Sequence, residues 1–166
     1  MKLYHGSYLE VRNPKILTVA RVGDFGMGFY TTSDLDQARR WARIRALQVQ
    51  STLGVITAFE VPDSLFENPE LTVMTFPKAD AKWLDFVMAN RTDTEFEHHF
   101  DLVRGPVAND RVYLCLNALE NGTADRAMVI RRLKTFALTD QILFHTAKSL
   151  LFLEYTHTEE VPCLRK

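Results

Sequence analysis

The sequence predicts an α+β fold. Short strand-like and helix-like segments are mixed along the chain without the regular strand–helix–strand rhythm of a doubly wound sheet. No segment repeats, and none is low in complexity or long enough to serve as a linker. At 166 residues the chain can build one ordinary core and is short for two, so a single domain over residues 1–166 is expected.

Taken in order, Lys2 to Ser7 reads as a first strand broken at Gly6, followed by a loop through Pro14 and a second apolar segment around Ile16 to Val22. Phe29 to Thr32 is a strand of few residues. Ser33 then stands where an N-cap belongs, with Asp34 and Asp36 in the first turn. Leu35, Ala38, Ala42, Ala46 and Val49 recur at helical spacing until Gly54 ends the pattern. GVITAFEV, closed by Pro62, is the clearest strand because it is rich in β-branched and aromatic residues. A polar, proline-containing connection leads to a helix at Ala79 to Ala89, where Ala79, Trp83, Phe86 and Val87 share a face. FDLVRGPV starts as a strand and breaks at Gly105-Pro106, and the chain resumes as two helices separated by Asn121-Gly122. TDQILFHT is strand-like again. AKSLLFLEY is a short helix or a strand, which periodicity does not decide.

A composition of 46% hydrophobic and 25% charged residues with a formal net charge of −1 is that of a globular protein and argues against a general polyanion binder. The N-terminus MKLYHGSYLEV lacks the apolar run of a signal peptide and no stretch is long enough to span a bilayer, so a cytoplasmic protein without a membrane partner is expected. Cys115 and Cys163 give neither zinc spacing nor a disulfide framework. No metal is expected. His98-His99 in EFEHHF has no second ligand pair spaced to join it and reads as solvated surface, while His145 reads as a hydrogen-bonded core histidine.

Chemistry concentrates in GDFGMGFYTT, where three of the chain's seven glycines fall within six positions ahead of an aromatic strand. No Lys-Ser/Thr follows, so this is not a P-loop, and the cluster precedes a strand where a dinucleotide fingerprint would follow one. It is a tight turn or a place where backbone approaches a ligand. LYHGS at 3–7 together with FGMGFYTT at 25–32 resembles the catalytic core of ADP-ribosyltransferases of the diphtheria-toxin and poly(ADP-ribose) polymerase type. There a strand with His-Gly-Ser/Thr is followed by a Phe-Gly-x-Gly-x-Tyr segment. Over nearly the full chain the pattern also looks like an uncharacterised bacterial family with toxin associations in the same superfamily.

The resemblance implies a split β-sandwich of two small sheets with flanking helices, NAD as substrate, and a His-Tyr-Glu-like triad. It places His5 on a ribose, Tyr30 against the nicotinamide ring, and Gly6 at the carboxamide, with Ser7, Gly26 and Gly28 beside them. Gln37 stands near the place of a serine that such enzymes carry on the following helix. Cleaving the nicotinamide glycosidic bond passes through an oxocarbenium-like cation, which requires a flat surface for the leaving ring, fixed riboses and stabilisation of positive charge. The third position departs from the pattern: the residue of TDQILFHT that matches the family's glutamate is Gln141, whose amide can bond a ribose hydroxyl but carries no charge. Asp140, Glu154 and Glu160 are neighbouring acids that could take that role. GPVANDRV admits two compatible readings: Asn109 and Asp110 cap a helix, or Asp110 and Arg111 face a ribose or acceptor and a phosphate. Arg39, Arg40, Arg43 and Arg45 form a solvated face or attract the NAD pyrophosphate.

The expected activity is mono-ADP-ribosyl transfer to a protein or nucleic acid, as in a toxin held by an antitoxin partner. The alternatives are an NAD- or ADP-ribose-binding sensor or adaptor without catalysis, and a protein-interaction module without nucleotide. The first reading requires His5, Tyr30 and Gln141 to line one pocket beside Gly6, with the Tyr30 ring presenting a face.

Overall fold

A computed structural model describes residues 1–17 and 23–163. The segment expected around Ile16 to Val22 lies mostly outside the described residues. The remainder is α+β: two small sheets with flanking helices. The first sheet has strand order β1-β3-β7, built from β1 (Lys2–Ser7), β3 (Leu53–Glu60) and β7 (Glu154–Pro162), all antiparallel. The second has order β2-β6-β5-β4, from β2 (Phe29–Thr31), β6 (Asp140–Phe144), β5 (Leu102–Pro106) and β4 (Val73–Thr75), with only β4 and β5 parallel.

Helix α1 (Leu35–Gln48) lies on the first sheet through its alanine stripe, since Ala38, Ala42 and Ala46 are fully buried. Close approach is possible because the strands beneath carry glycine. A Cβ at Gly6 would overlap the Ala38 carbonyl oxygen, and one at Gly54 would come within 2.6 Å of the Ala42 carbonyl. Strand β1 therefore runs unbroken through Gly6, contrary to the expected break: the residue is there for helix contact rather than to stop the strand.

Helices α2 (Ala81–Thr92), α3 (Asp110–Glu120) and α4 (Arg126–Leu133) cover the second sheet over a core of Phe25, Trp83, Leu84, Val103, Leu116 and Leu143. A second cluster joins the sheets, with Leu3 and Phe59 from the first and Phe29, Leu102, Ile142 and Phe144 from the second. Alternation along the strands thus puts Phe29 and Tyr30 on opposite faces of β2.

Caps explain most of the boundaries. Asp34, not Ser33, caps α1 by accepting from the Gln37 amide at 2.7 Å, because Ser33 is occupied by Asp140 across the sheet. Asn121 ends α3 and Gly122 follows at φ +70°. AKSLLFLEY divides: Thr146 caps the single turn α5 (Ala147–Leu150), and β7 begins at Glu154. No helix among the described residues is long and apolar enough to cross a membrane.

Candidate functional site: a split between the two sheets

The two sheets meet at one rung. Tyr4 and Thr32 exchange both backbone hydrogen bonds, at 2.9 and 3.0 Å, and form an isolated antiparallel bridge. The next rung of such a ladder joins Gly6 to Tyr30. Among the described residues it is not formed. His5 replaces it, its Nδ1 donating to the Tyr30 carbonyl at 2.7 Å while its ring stacks on Phe29 with centroids 4.3 Å apart. Because Tyr4 spends its N–H and C=O on Thr32, alternation turns those of Gly6 toward the same gap. Gly6 is buried, and no described residue is bonded to them.

His5 is neutral at physiological pH. Burial lowers its pKa to about 4, against an opposing contribution from the Tyr30 carbonyl and a smaller lowering by the positive charge of Arg45. With Nδ1–H committed to a carbonyl, Nε2 is the acceptor nitrogen, so His5 offers a lone pair rather than an N–H to a hydroxyl.

The glycine loop is organised around Tyr30. The Tyr30 hydroxyl donates to the Gly26 carbonyl at 2.6 Å and accepts from the Phe25 amide at 3.0 Å. A Cβ at Gly23 would stand 2.5 Å from that hydroxyl. Gly26 and Gly28 adopt φ +100° and +148°, and a side chain on Gly28 would overlap the Phe144 carbonyl. All three glycines thus let the chain approach its own core. The Tyr30 ring packs against the helix-covered core, and burial raises its pKa well above the usual phenol value.

Two histidines fasten the loop from outside. His98 Nε2 donates to the Phe25 carbonyl and His145 Nδ1 to the Met27 carbonyl, each at 2.7 Å, with ring centroids 4.3 Å apart. His98 is buried rather than solvated, a correction to the surface reading: its partner is a loop carbonyl distant in sequence, which residue spacing does not reveal.

Gln141 lies on β6 one position beyond the pair Thr31–Ile142, level with Thr32 at the apex of the split. Its side chain is buried on the same face as Tyr30. There it meets Asp24, a buried acid of the glycine loop that sequence reasoning missed. The signal available was one charge inside an otherwise apolar, aromatic run. Gln141 Nε2 donates to Asp24 Oδ2 at 3.4 Å and to the Pro106 carbonyl at 3.5 Å, and the Tyr113 hydroxyl donates to Asp24 Oδ1 at 3.3 Å. Burial raises the Asp24 pKa, while hydrogen bonds from Gln141, Tyr113 and the Ala108 backbone and the charge of Arg91 oppose the rise.

So Tyr30 and Gln141 share a face, while His5 points to the other face and touches Tyr30 through its backbone. The three side chains do not line one pocket: β2 alternates, and His5 stacks with Phe29. Ser7 ends β1 beside the split. Gln37 is buried and its Oε1 accepts from Arg40 at 2.6 Å and Thr139 at 3.3 Å. Asn109 caps α3, accepting from the Arg111 and Val112 amides at 3.1 Å, and Asp110 and Arg111 are exposed in the first turn. Asp140 ties Ser33 and Arg104 together, and Glu154 and Glu160 lie on β7, across the first sheet. Cys115 and Cys163 are buried and unlinked. No group of three or more His, Cys, Asp or Glu among the described residues is placed to hold a metal ion.

A family model described as "protein of unknown function (DUF3990)" matches residues 1–155. The chain belongs to the DUF3990 family. That match takes in both sheets up to the start of β7, hence the whole split and the glycine loop. No curated protein and no solved structure matches this DUF3990 chain.

Proposed function

We propose that this DUF3990 protein binds NAD at the split and transfers single ADP-ribosyl groups to a protein or nucleic acid. The observation that carries the reading is the unformed Gly6–Tyr30 rung. A buried N–H and C=O side by side, with no bonded partner among the described residues, suit a ligand amide, and buried backbone groups are rarely left unpaired. The nicotinamide carboxamide has the matching acceptor and donor. His5 Nε2 accepts from a ribose hydroxyl near the same gap. We assign Gln141, at the apex and on the face opposite His5, to the reacting ribose, so the proposed site is a gap bordered from two faces and not the single pocket first expected. The Tyr30 ring, with its hydroxyl tied back and its side chain packed on the helix-covered core, supports the loop behind the split and offers no platform for the nicotinamide.

In the reaction the bond between ribose C1′ and the nicotinamide nitrogen breaks, its electron pair staying on nicotinamide. An acceptor oxygen or nitrogen bonds C1′ and loses its proton; with water as acceptor the products are ADP-ribose, nicotinamide and a proton. The chain's contribution is to hold the amide and riboses and to direct partial negative charge at C1′. An uncharged Gln141 favours a second reading, in which the same site binds NAD or ADP-ribose without turnover. An antitoxin partner belongs to the toxin form of the first.

The test is thermal unfolding of the full chain with NAD, together with assay of nicotinamide release. Saturation at a hundred times Kd adds about 2.7 kcal/mol of stability. Binding with release supports the transferase, binding without release supports the sensor, and neither overturns both.

A further inference from the structure

The Asp24–Gln141 contact explains how a glutamine can stand where a carboxylate is expected, an inference that rests on the transferase reading above. The Nε2 end of Gln141 faces only acceptors, the Asp24 carboxylate and the Pro106 carbonyl. That fixes the amide orientation. Among the described residues no hydrogen bond reaches Oε1, and no fully buried side-chain polar atom is left unpaired, so Oε1 keeps a little solvent contact in a residue only 4% exposed. Asp24 is itself anchored by the Tyr113 hydroxyl and sits in the loop whose glycines fold it onto Tyr30.

We propose that Asp24 is a positioning residue for the reaction: it orients the Gln141 amide with Oε1 toward the split and polarises it, so that charge on Asp24 is relayed as partial negative charge on Oε1. A carboxylate accepting from an amide N–H draws electron density toward the carbonyl oxygen of that amide, as chains of hydrogen bonds do in a low-dielectric interior. The glutamine then approximates a carboxylate oxygen at the apex while the full charge stays buried in the loop.

A charge exchange tests this. Nicotinamide release and NAD binding are measured for the parent, Asp24→Asn, Gln141→Glu and the double variant Asp24→Asn/Gln141→Glu, with circular dichroism and urea titration to verify folding. Asp24→Asn should lower kcat at least tenfold while leaving NAD affinity within about twofold. The double variant returns one carboxylate and one amide to the pair in exchanged places and should recover kcat to the parental level or above. A residue that merely stabilises the loop would not be rescued by an acid introduced at position 141. Parental turnover with an Asp24→Asn variant of unchanged kcat, or with a folded double variant no faster than Asp24→Asn, overturns the proposal alone. Loss of fold in Asp24→Asn shifts the comparison to the double variant against Gln141→Glu, where equal kcat overturns it. A parent that binds NAD without releasing nicotinamide overturns the relay and leaves the sensor reading standing. A parent that does neither overturns the proposal together with the transferase.

Discussion

The split at Gly6 and the glycine loop at 23–28 face each other across Tyr30 and are opposite in kind. In the loop the backbone groups of Phe25 and Gly26 and the Met27 carbonyl are tied down: the Tyr30 hydroxyl takes Phe25 and Gly26, His98 takes the Phe25 carbonyl, and His145 takes that of Met27. At the split, a buried N–H and C=O have no partner among the described residues, and the His5 side chain has taken the Tyr30 carbonyl that would have paired with the Gly6 N–H. Glycine enrichment marks the region that folds back on its own core. The region left open contains a single glycine. Glycines that look like a ligand cradle can be the means by which a loop wraps an aromatic side chain, and the ligand contact can lie on the strand opposite.

The largest expected effect that sharpens this contrast is Gly6→Ala. The new methyl would overlap the α1 backbone at Ala38, which cannot rotate away, so a loss of about 3 kcal/mol in urea unfolding is expected. A loss below about 1 kcal/mol would mean that α1 is not seated on β1 as closely as described.

Next comes pH. His5 titrates near 4 in the folded chain against 6.5 in an unfolded one, so between these values the unfolded chain binds more protons. Its contribution is complete above about pH 6.5 and is lost as pH falls toward 4, by about 2 kcal/mol after allowing for partial solvent contact. Asp24, whose pKa is raised, acts in the opposite direction in acid, so the His5 share is the difference between the parent and His5→Asn. Parallel stability profiles for the two proteins would contradict the neutral, wedged His5.

Tyr30→Phe has a smaller effect and separates the two regions. It leaves the Phe25 amide and Gly26 carbonyl without their shared partner, costing about 1–2 kcal/mol, while NAD affinity at the split should stay within a few fold. An affinity loss larger than the stability loss would move the ligand contact back to the loop side.

Much of this arrangement is legible in the sequence, and the exceptions have physical causes. The alanine stripe of α1, the β-branched run of β3 and the Asn121-Gly122 stop each carry a strong local signal and sit where expected. Strand β4, three residues long, and β7, whose EYTHTEEVP is polar because it is a sheet edge, carry almost none. The cap moved from Ser33 to Asp34 because a partner 107 residues away claims the serine. His98 reads as surface and Asp24 carries no reading for the same reason: what buries them is distant in sequence. The His5–Gly6 and Tyr30 motifs gave the positions that border the split but not which way they face, since the stacking of His5 on Phe29 is decided by how β1 and β2 diverge.

The most direct test of the split as the binding site is a two-dimensional amide NMR titration of the full chain with NAD. The Gly6 and Tyr30 amide resonances should shift strongly and saturate together, while those of Gly26 and Gly28 move little. Shifts concentrated at Gly26 and Gly28 with Gly6 unmoved would contradict it.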